Sequence, residues 1–387
     1  MAFRLIHSAD WHIAKPFGAF DTERALRLRE ARIGAIDRIA EVARAAGASV
    51  VLVAGDVFDS PGVADDVLRR TLAKLGAQST LVWHLLPGNH DAATAGGIWE
   101  RVARIGLPAN VVVHARAEPV TLAPGIALLP SPLVTRHAAS DPTAWMDQAV
   151  TAPGIARIGL AHGAVQGFGS SGEAATPLST ARARSAGLAY LALGDWHGRR
   201  EVAPRTWYSG TPEPDRFLDN EPGYVLAVEV GGVEQAIVTP HRVADHIWLR
   251  REISVGVADG LAAVEGEIAA LGARADRALL QLEIRGRLTL AGDHALGRRL
   301  DALAPRLMHL DLRRDALDIG TDDIGEALLA DPTLAAVARA LAARVEAAAS
   351  PREFEIARQA LRRLAALADG DAGAPAIGAT DDGRAAA

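Results

Sequence analysis

The chain contains no cysteine. That absence removes disulfides and thiolate metal sites and leaves His, Asp, Glu and Asn as the side chains able to hold a metal, which favours hard or borderline divalent ions. Lysine is almost missing: Lys15 and Lys74 are the only two in 387 residues, and arginine supplies the rest of the positive charge. Biased codon usage in an alanine-rich chain explains that scarcity at least as well as function does. No apolar run is long enough to cross a membrane, and Met1-Ala2-Phe3-Arg4 passes straight into a strand-like segment without a signal-peptide pattern. A soluble, cytoplasmic protein with no membrane contact is therefore expected. A net charge of -6 leaves no surplus for coating nucleic acid by bulk electrostatics, although a local basic groove stays open. What is present is a 49% hydrophobic chain, long enough for two or three domains.

The chemistry gathers at polar turns that end apolar runs. Thr80 to Leu86 reads as a buried strand and runs into Pro87-Gly88-Asn89-His90-Asp91, which sets an amide, an imidazole and a carboxylate side by side. Four other stretches repeat the arrangement. Phe3 to Ser8 leads to Asp10-Trp11-His12, and Ala48 to Ala54 leads to Gly55-Asp56-Val57-Phe58-Asp59. Arg157 to Ala161 leads to His162-Gly163, and Tyr190 to Leu193 leads to Gly194-Asp195-Trp196-His197. Ligands of open α/β sheets bind just beyond the carboxyl ends of the strands, so five such turns can share one crevice and build a metal site.

The remaining pattern sets the architecture. Strand, helix, strand, helix, strand up to Leu86, with helical spacing at Ile33, Ile36 and Ile39 and again over Asp65 to Leu75, is the signature of a largely parallel sheet. Short strands at Val111 to His114, Val120 to Leu122 and Ile126 to Leu129 predict a second sheet packed on the first, and Gly223 to Val230 closes the unit. The expected fold is α/β: a two-sheet sandwich flanked by helices over 1–240, followed by a small α/β capping domain over 241–320. Asp331-Pro332 and Ser350-Pro351-Arg352-Glu353 place capping residues before first-turn prolines, the second with the glutamate of a capping box, and predict a helical hairpin within 321–368. Residues 369–387 are mostly Ala, Gly and Asp with almost nothing to bury and are expected to form a disordered tail.

Taken singly, each motif is an ordinary loop. In series, Asp-x-His, Gly-Asp-x-x-Asp, Gly-Asn-His-Asp, His-Gly and Gly-Asp-x-His resemble the calcineurin-like metallophosphoesterase superfamily, and among its branches the SbcD-type DNA-repair exonucleases. Val53 to Asp59 and Tyr208-Ser209-Gly210-Thr211-Pro212-Glu213 carry the branch resemblance, together with the small module and hairpin behind the catalytic domain. The resemblance implies one divalent metal on Asp10, His12 and His197 and a second on Asn89, His162 and Asp195, with Asp56 bridging. Mn2+ is the implied ion. It also implies that His90 protonates the leaving group or neutralises the transition state, with Asp91 fixing its tautomer, and that such a pair of ions clamps a phosphoryl group and activates water. Asp195 departs from the pattern, which has histidine there. Its carboxylate either coordinates or turns aside to bond a ligating histidine. Asp59 stands where some nuclease relatives carry a phosphate-placing histidine, a part no carboxylate can play.

The function so implied is metal-dependent DNA hydrolysis in repair, alongside an SbcC-like coiled-coil ATPase docked on the C-terminal helices; a homodimer stays open. A phosphatase or small-molecule phosphodiesterase of the same fold is the alternative, and an inactive scaffold is a third reading. Several residues keep two readings each. Arg24, Arg27, Arg29 and Arg32 contact phosphates or form a solvated helix face, and Trp11 and Trp196 stack on bases or pack beneath the ligands. Arg199, Arg200 and Arg205 line the cleft mouth or are surface charges. His7 and His84 read as packed and hydrogen bonded, and His294 and His309 as surface or core histidines.

Overall fold

A computed structural model describes residues 2–166, 176–233, 235–255, 260–319 and 331–368, and the chain forms two compact units, Met1–Trp248 and Leu249–Ala387. In the first unit, β1 (Phe3–Ser8), α1 (Thr22–Ala45), β2 (Val50–Val53), α2 (Asp65–Ala77), β3 (Val82–Leu85), α3 (Ile98–Ile105) and β4 (Val111–Val113) lay down four parallel strands. Next come β5 (Val120–Ala123), β6 (Ile126–Ser131), β7 (Ala156–His162), the two-residue strands β8 (Ala164–Val165) and β9 (Pro177–Leu178), α4 (Arg182–Ser185) and β10 (Leu188–Gly194). The unit closes with β11 (Arg200–Ala203), β12 (Thr206–Tyr208), β13 (Tyr224–Gly232) and β14 (Gln235–Arg242). One sheet has the order β14-β13-β1-β2-β3-β4 and the other β11-β12-β10-β7-β6-β5.

Side-chain alternation makes this a layered structure. Val50 and Leu52 of β2 join Leu5, Leu128, Ile158, Leu160 and Tyr190 in a core between the two sheets. Val51 and Val53 point the other way, onto Ile36 and Ile39 of α1 and Leu68 and Leu72 of α2. Because both faces are covered, the strand reads as an unbroken apolar run rather than an alternating one. Leu188, Leu191 and Leu193 of β10 form a third core with Leu129, Met146 and Tyr208 on the far face of the second sheet. The expected two-sheet α/β sandwich with flanking helices is the observed one, except that the strand expected at Val111 to His114 pairs in parallel with β3 and so belongs to the first sheet rather than the second.

The first unit extends past Pro240, near which a boundary is expected from sequence. Pro240 lies inside β14, opposite Leu226 of β13. β14 is an edge strand, where a residue without an N–H is tolerated. The second unit holds β15 (Ile247–Val255), which begins at the boundary, then α5 (Gly260–Ala270), β16 (Ala278–Leu288), α6 (Leu290–Leu303), β17 (His309–Arg313) and β18 (Leu317–Ile319). β16 is long enough to pair with β17 through residues 279–283 and with β18 through 286–288. Two helices follow, α7 (Pro332–Glu346) and α8 (Pro351–Ala368). Asp331 caps α7 by accepting from Thr333 N and Leu334 N. Ser350 accepts from Glu353 N, while the Glu353 carboxylate reaches Ala349 N at 3.0 Å. The expected tail, 369–387, lies outside the described residues, as does 321–330. Among the described residues no helix is long and apolar enough to cross a membrane.

Candidate metal centre

Backbone hydrogen bonds carry the strand ladder past the strand ends and set the ligating side chains in place. Asp10 N donates to Gly55 O at 3.1 Å, His12 N to Asp56 O at 2.9 Å and Ile13 N to Val57 O at 2.9 Å, so the first two turns run on as a pair. Leu86 N donates to Val53 O at 3.0 Å and brings the third turn beside them. The second sheet joins through two links: His162 Nδ1 lies 2.8 Å from Ala54 O, and Asp195 N donates to Asp10 Oδ1 at 3.0 Å. Asp10, His12, Asp56 and Asp195 all hold positive φ, at 54°, 42°, 54° and 106°. Such backbone is unfavourable for residues with a Cβ, at about 1–3 kcal/mol each, and clusters where function demands it. Two motif glycines make the necessary room. A Cβ on Gly55, itself at φ +89°, would lie 2.2 Å from His162 Nδ1, and one on Gly88 would lie 2.2 Å from Asp56 Oδ1.

Among the described residues, three sets of donors lie close enough to share an ion: Asp10, His12 and His197; Asp10, Asp56 and His162; and His12, Asp56 and His90. Asp56 Oδ2 stands between the histidines, 3.6 Å from His12 Nε2 and 3.4 Å from His162 Nε2. Asn89 Oδ1 lies 3.1 Å from His162 Nε2. The donor set fits a divalent cation on two counts. His12 Nε2 and His197 Nε2 face each other at 3.1 Å, a distance at which two ring lone pairs repel unless a proton or cation lies with them. Asp10 Oδ2 is buried with no hydrogen-bond partner, which costs free energy unless a cation completes it.

Electrostatics follows from burial and from the crowding of opposite charges. Burial pushes Asp10 up to about 6 and pulls His12 down to about 4, so His12 is neutral, with a lone pair to give, at physiological pH. Burial also opposes ionisation of Asp56 and His162, but each outweighs that penalty for the other. Asp56 is held below the usual carboxylate range and His162 well above the usual imidazole value. Asp91 is pushed up to about 7 by burial, reinforced by the nearby Asp56 carboxylate.

Not every expected role survives. Asp91 does not orient His90: its carboxylate turns back to accept from Gly88 N at 2.7 Å and Phe58 N at 3.1 Å, and its own carbonyl accepts from Trp99 Nε1. The ring of His90 is held instead at Nδ1 by the Asp59 carbonyl, at 2.8 Å, while His90 N donates to Asp56 Oδ1 at 2.9 Å. The Asp59 carboxylate contacts His12 Nδ1 at 3.2 Å. Asp195 sits at the margin, a third exposed, with Oδ1 3.8 Å from His162 Nε2. Trp11 is buried beneath the site, with Nε1 on Ser8 Oγ and its ring edge-on to Trp83, so it presents no face to a base. Trp196 is half-buried against the far core. Arg32 is neither solvated nor free for phosphate: it is buried and donates to Trp11 O at 2.6 Å and Glu213 O at 3.1 Å. Arg24 donates to the helix-capping Asp21, and Arg199 pairs with Glu221 over the ring of Tyr224. His7 bonds Tyr190 Oη and Leu193 O, and His84 bonds His114, both packed as the sequence suggests.

Two residues at the site went unread in the sequence. Asp215 belongs to none of the five turns, yet its Oδ1 lies 3.3 Å from His197 Nδ1. It is buried, and His197, Arg32 and Lys15 hold it below the usual carboxylate range against the penalty of that burial. Lys15 lies 3.1 Å from Asp215 Oδ2. The available signals were slight: Asp215 follows two residues after the Tyr208 to Glu213 stretch, and Lys15 is one of only two lysines.

Residues 3–164 match the family model described as calcineurin-like phosphoesterase. Similar solved structures include TT1561 of Thermus thermophilus, at 11% identity and a TM-score of 0.40, covering 63% of this chain and 100% of that one. Another is Yfce, a phosphoesterase from E. coli, at 14% identity and a TM-score of 0.25, covering 62% of this chain and 100% of that one. No curated protein matches the chain.

Proposed function

We propose that this chain is a metal-dependent phosphodiesterase that cleaves DNA. The observation carrying the hydrolase reading is the meeting of Asp10, His12, Asp56, His162 and His197 at the ends of strands from two sheets, in a segment that largely falls within the phosphoesterase match. In this reading Asp10, His12 and His197 would hold one ion, and Asn89 and His162, with Asp195 at the rim, would hold a second, with Asp56 available to both. The donors are oxygen and imidazole nitrogen only, a set suited to Mn2+. Bound there, such ions supply Lewis acidity toward a phosphoryl oxygen and a hydroxide source near neutral pH.

The chain's own residues supply position and proton control. The Asp59 carbonyl accepts, so the proton of neutral His90 sits on Nδ1 and Nε2 is left to face the substrate. Protonated at Nε2, His90 can donate to the departing oxygen. The strained backbone at Asp10, His12 and Asp56 holds their side chains in one arrangement before any substrate arrives.

DNA as substrate rests on the SbcD-type motif order, since a fold does not fix its substrate. Hydrolysis of single- and double-stranded DNA beside a small chromogenic phosphodiester, with Mn2+ and with a chelator, tests the reading. Mn2+-dependent loss of DNA is expected; turnover of the small ester with none of DNA would establish the small-substrate alternative. We further propose α7 and α8 as the seat of an SbcC-like ATPase, through which the chain acts in repair. Co-purification with the full chain but not with one ending near Gly320 is the expected outcome, and equal recovery would refute it.

A further inference from the structure

We infer that Lys15 is a positioning residue for the Asp10-side ion, holding the Asp215 carboxylate that locks the His197 imidazole. The inference rests on the metal-centre reading above. His12 and His197 face each other through Nε2 at 3.1 Å, and each has a carboxylate beside its Nδ1: His197 Nδ1 hydrogen-bonds Asp215 at 3.3 Å, while Asp59 lies 3.2 Å from His12 Nδ1 as a charge contact without hydrogen-bond alignment. These carboxylates come from distant parts of the chain, Asp59 from the turn after β2 and Asp215 from the segment after β12. Lys15 is the cation within reach of both, with Nζ 3.1 Å from Asp215 Oδ2 and 3.9 Å from Asp59 Oδ1, while the more exposed Arg216 donates from Nε to Asp215 Oδ1 at 3.3 Å.

The geometry gives lysine a reason to be here in an arginine-rich chain. Lys15 N donates to His12 O at 3.1 Å, so the residue is tied into a tight turn directly after the His12 ligand. An ammonium is a compact point charge able to sit between two acceptors, whereas a guanidinium fork commits to one carboxylate. Arg32, buried beside the pair, reaches Asp215 Oδ2 only at 4.0 Å and spends its hydrogen bonds on backbone carbonyls. Lys15 therefore holds the Asp215 carboxylate where it faces His197 Nδ1, and that Nδ1 keeps its proton. His197 Nε2 is then presented to the site in the ligating form, as partners behind metal-bound histidines commonly arrange.

The test compares full-length wild type with Lys15→Met, which keeps the stem, and Lys15→Arg, which keeps the charge. Mn2+ affinity is read by equilibrium dialysis, and the Nδ1-bound proton of His197 by 1H–15N spectra of metal-free protein. Lys15→Met is expected to weaken one Mn2+ by about 10–100-fold and to lose the slowly exchanging His197 Nδ1–H signal. Lys15→Arg should recover most of the affinity. Adding Lys15→Met to Asp215→Asn should cost far less than the two changes summed, because both act on the same contact. Wild-type affinity and signals in Lys15→Met, equal loss in both lysine variants, or strictly additive effects would each overturn the inference. If wild type binds no Mn2+ the function proposed above falls, while the Nδ1–H signals still decide the role of Lys15.

Discussion

At the scale of single residues, neighbours in sequence do different work. His90 faces the site while Asp91 faces away, its carboxylate holding the turn together through Gly88 N and Phe58 N. Two predictions separate them. His90→Asn should keep both ions bound and lower turnover by about 100-fold or more, the scale of a lost positioned acid or base; metal analysis beside a DNA hydrolysis assay checks this, and loss of metal would contradict it. Asp91→Ala leaves two buried N–H groups without an acceptor. It should therefore destabilise the protein by about 3 kcal/mol in urea unfolding, an effect His90→Asn should not share. The ligand types were legible because Asp, Asn and His crowd turns after apolar runs. Their outer partners were not: Asp215 sits eighteen residues beyond His197, and no local pattern tells which carboxylate turns toward which ring. Adjacency likewise suggested an Asp91–His90 contact that the backbone of the turn forbids.

At the scale of elements, the strands that carry the site are buried on both faces and read as plain apolar runs, so β1, β2, β3, β7 and β10 stood out in the sequence. β14 did not, because its alternately exposed residues and Pro240 describe an edge. α3 is eight residues long and too short for a helical period to declare itself. The end of β2 offers the sharpest test of how an element positions chemistry. Gly55→Ala puts a Cβ against the His162 ring at a φ of +89°, whereas Gly18 has nothing within 4 Å and no left-handed φ. Gly55→Ala should cost roughly 2 kcal/mol or more of stability and lose bound metal, from backbone strain and overpacking together. Gly18→Ala should do neither, and a Gly55→Ala protein with wild-type metal content and unfolding midpoint would show that the close approach is unimportant.

At the scale of the whole molecule, the two-sheet sandwich and the small second unit follow from hydrophobic period. The extent of the first unit depends on a pairing between β13 and β14 that the sequence does not announce. Stability should also depend on pH through buried neutral histidines. Burial pulls His7 and His114 down to about 3 and His84 to about 4, below the 6.5 of the unfolded chain. Below pH 6.5 the unfolded state takes up protons that the fold refuses. Stability from these groups is therefore full above that value and falls as pH drops toward 4, by up to about 1.4 kcal/mol per pH unit for each. Asp10 and Asp91, raised to about 6 and 7, act in the opposite sense, so the measurement is a difference. His114→Gln should show a smaller acid loss than wild type in urea unfolding between pH 6.5 and 4.5, and parallel curves would contradict the assignment. The central claim is that turns from two sheets form one metal centre with Asp56 at its middle. The direct measurement is the number of Mn2+ ions bound per chain by wild type and by Asp56→Ala. Two ions in wild type, with binding at both positions weakened together in the variant, is the predicted result; no bound ion in wild type, or undiminished binding in Asp56→Ala, would contradict the account.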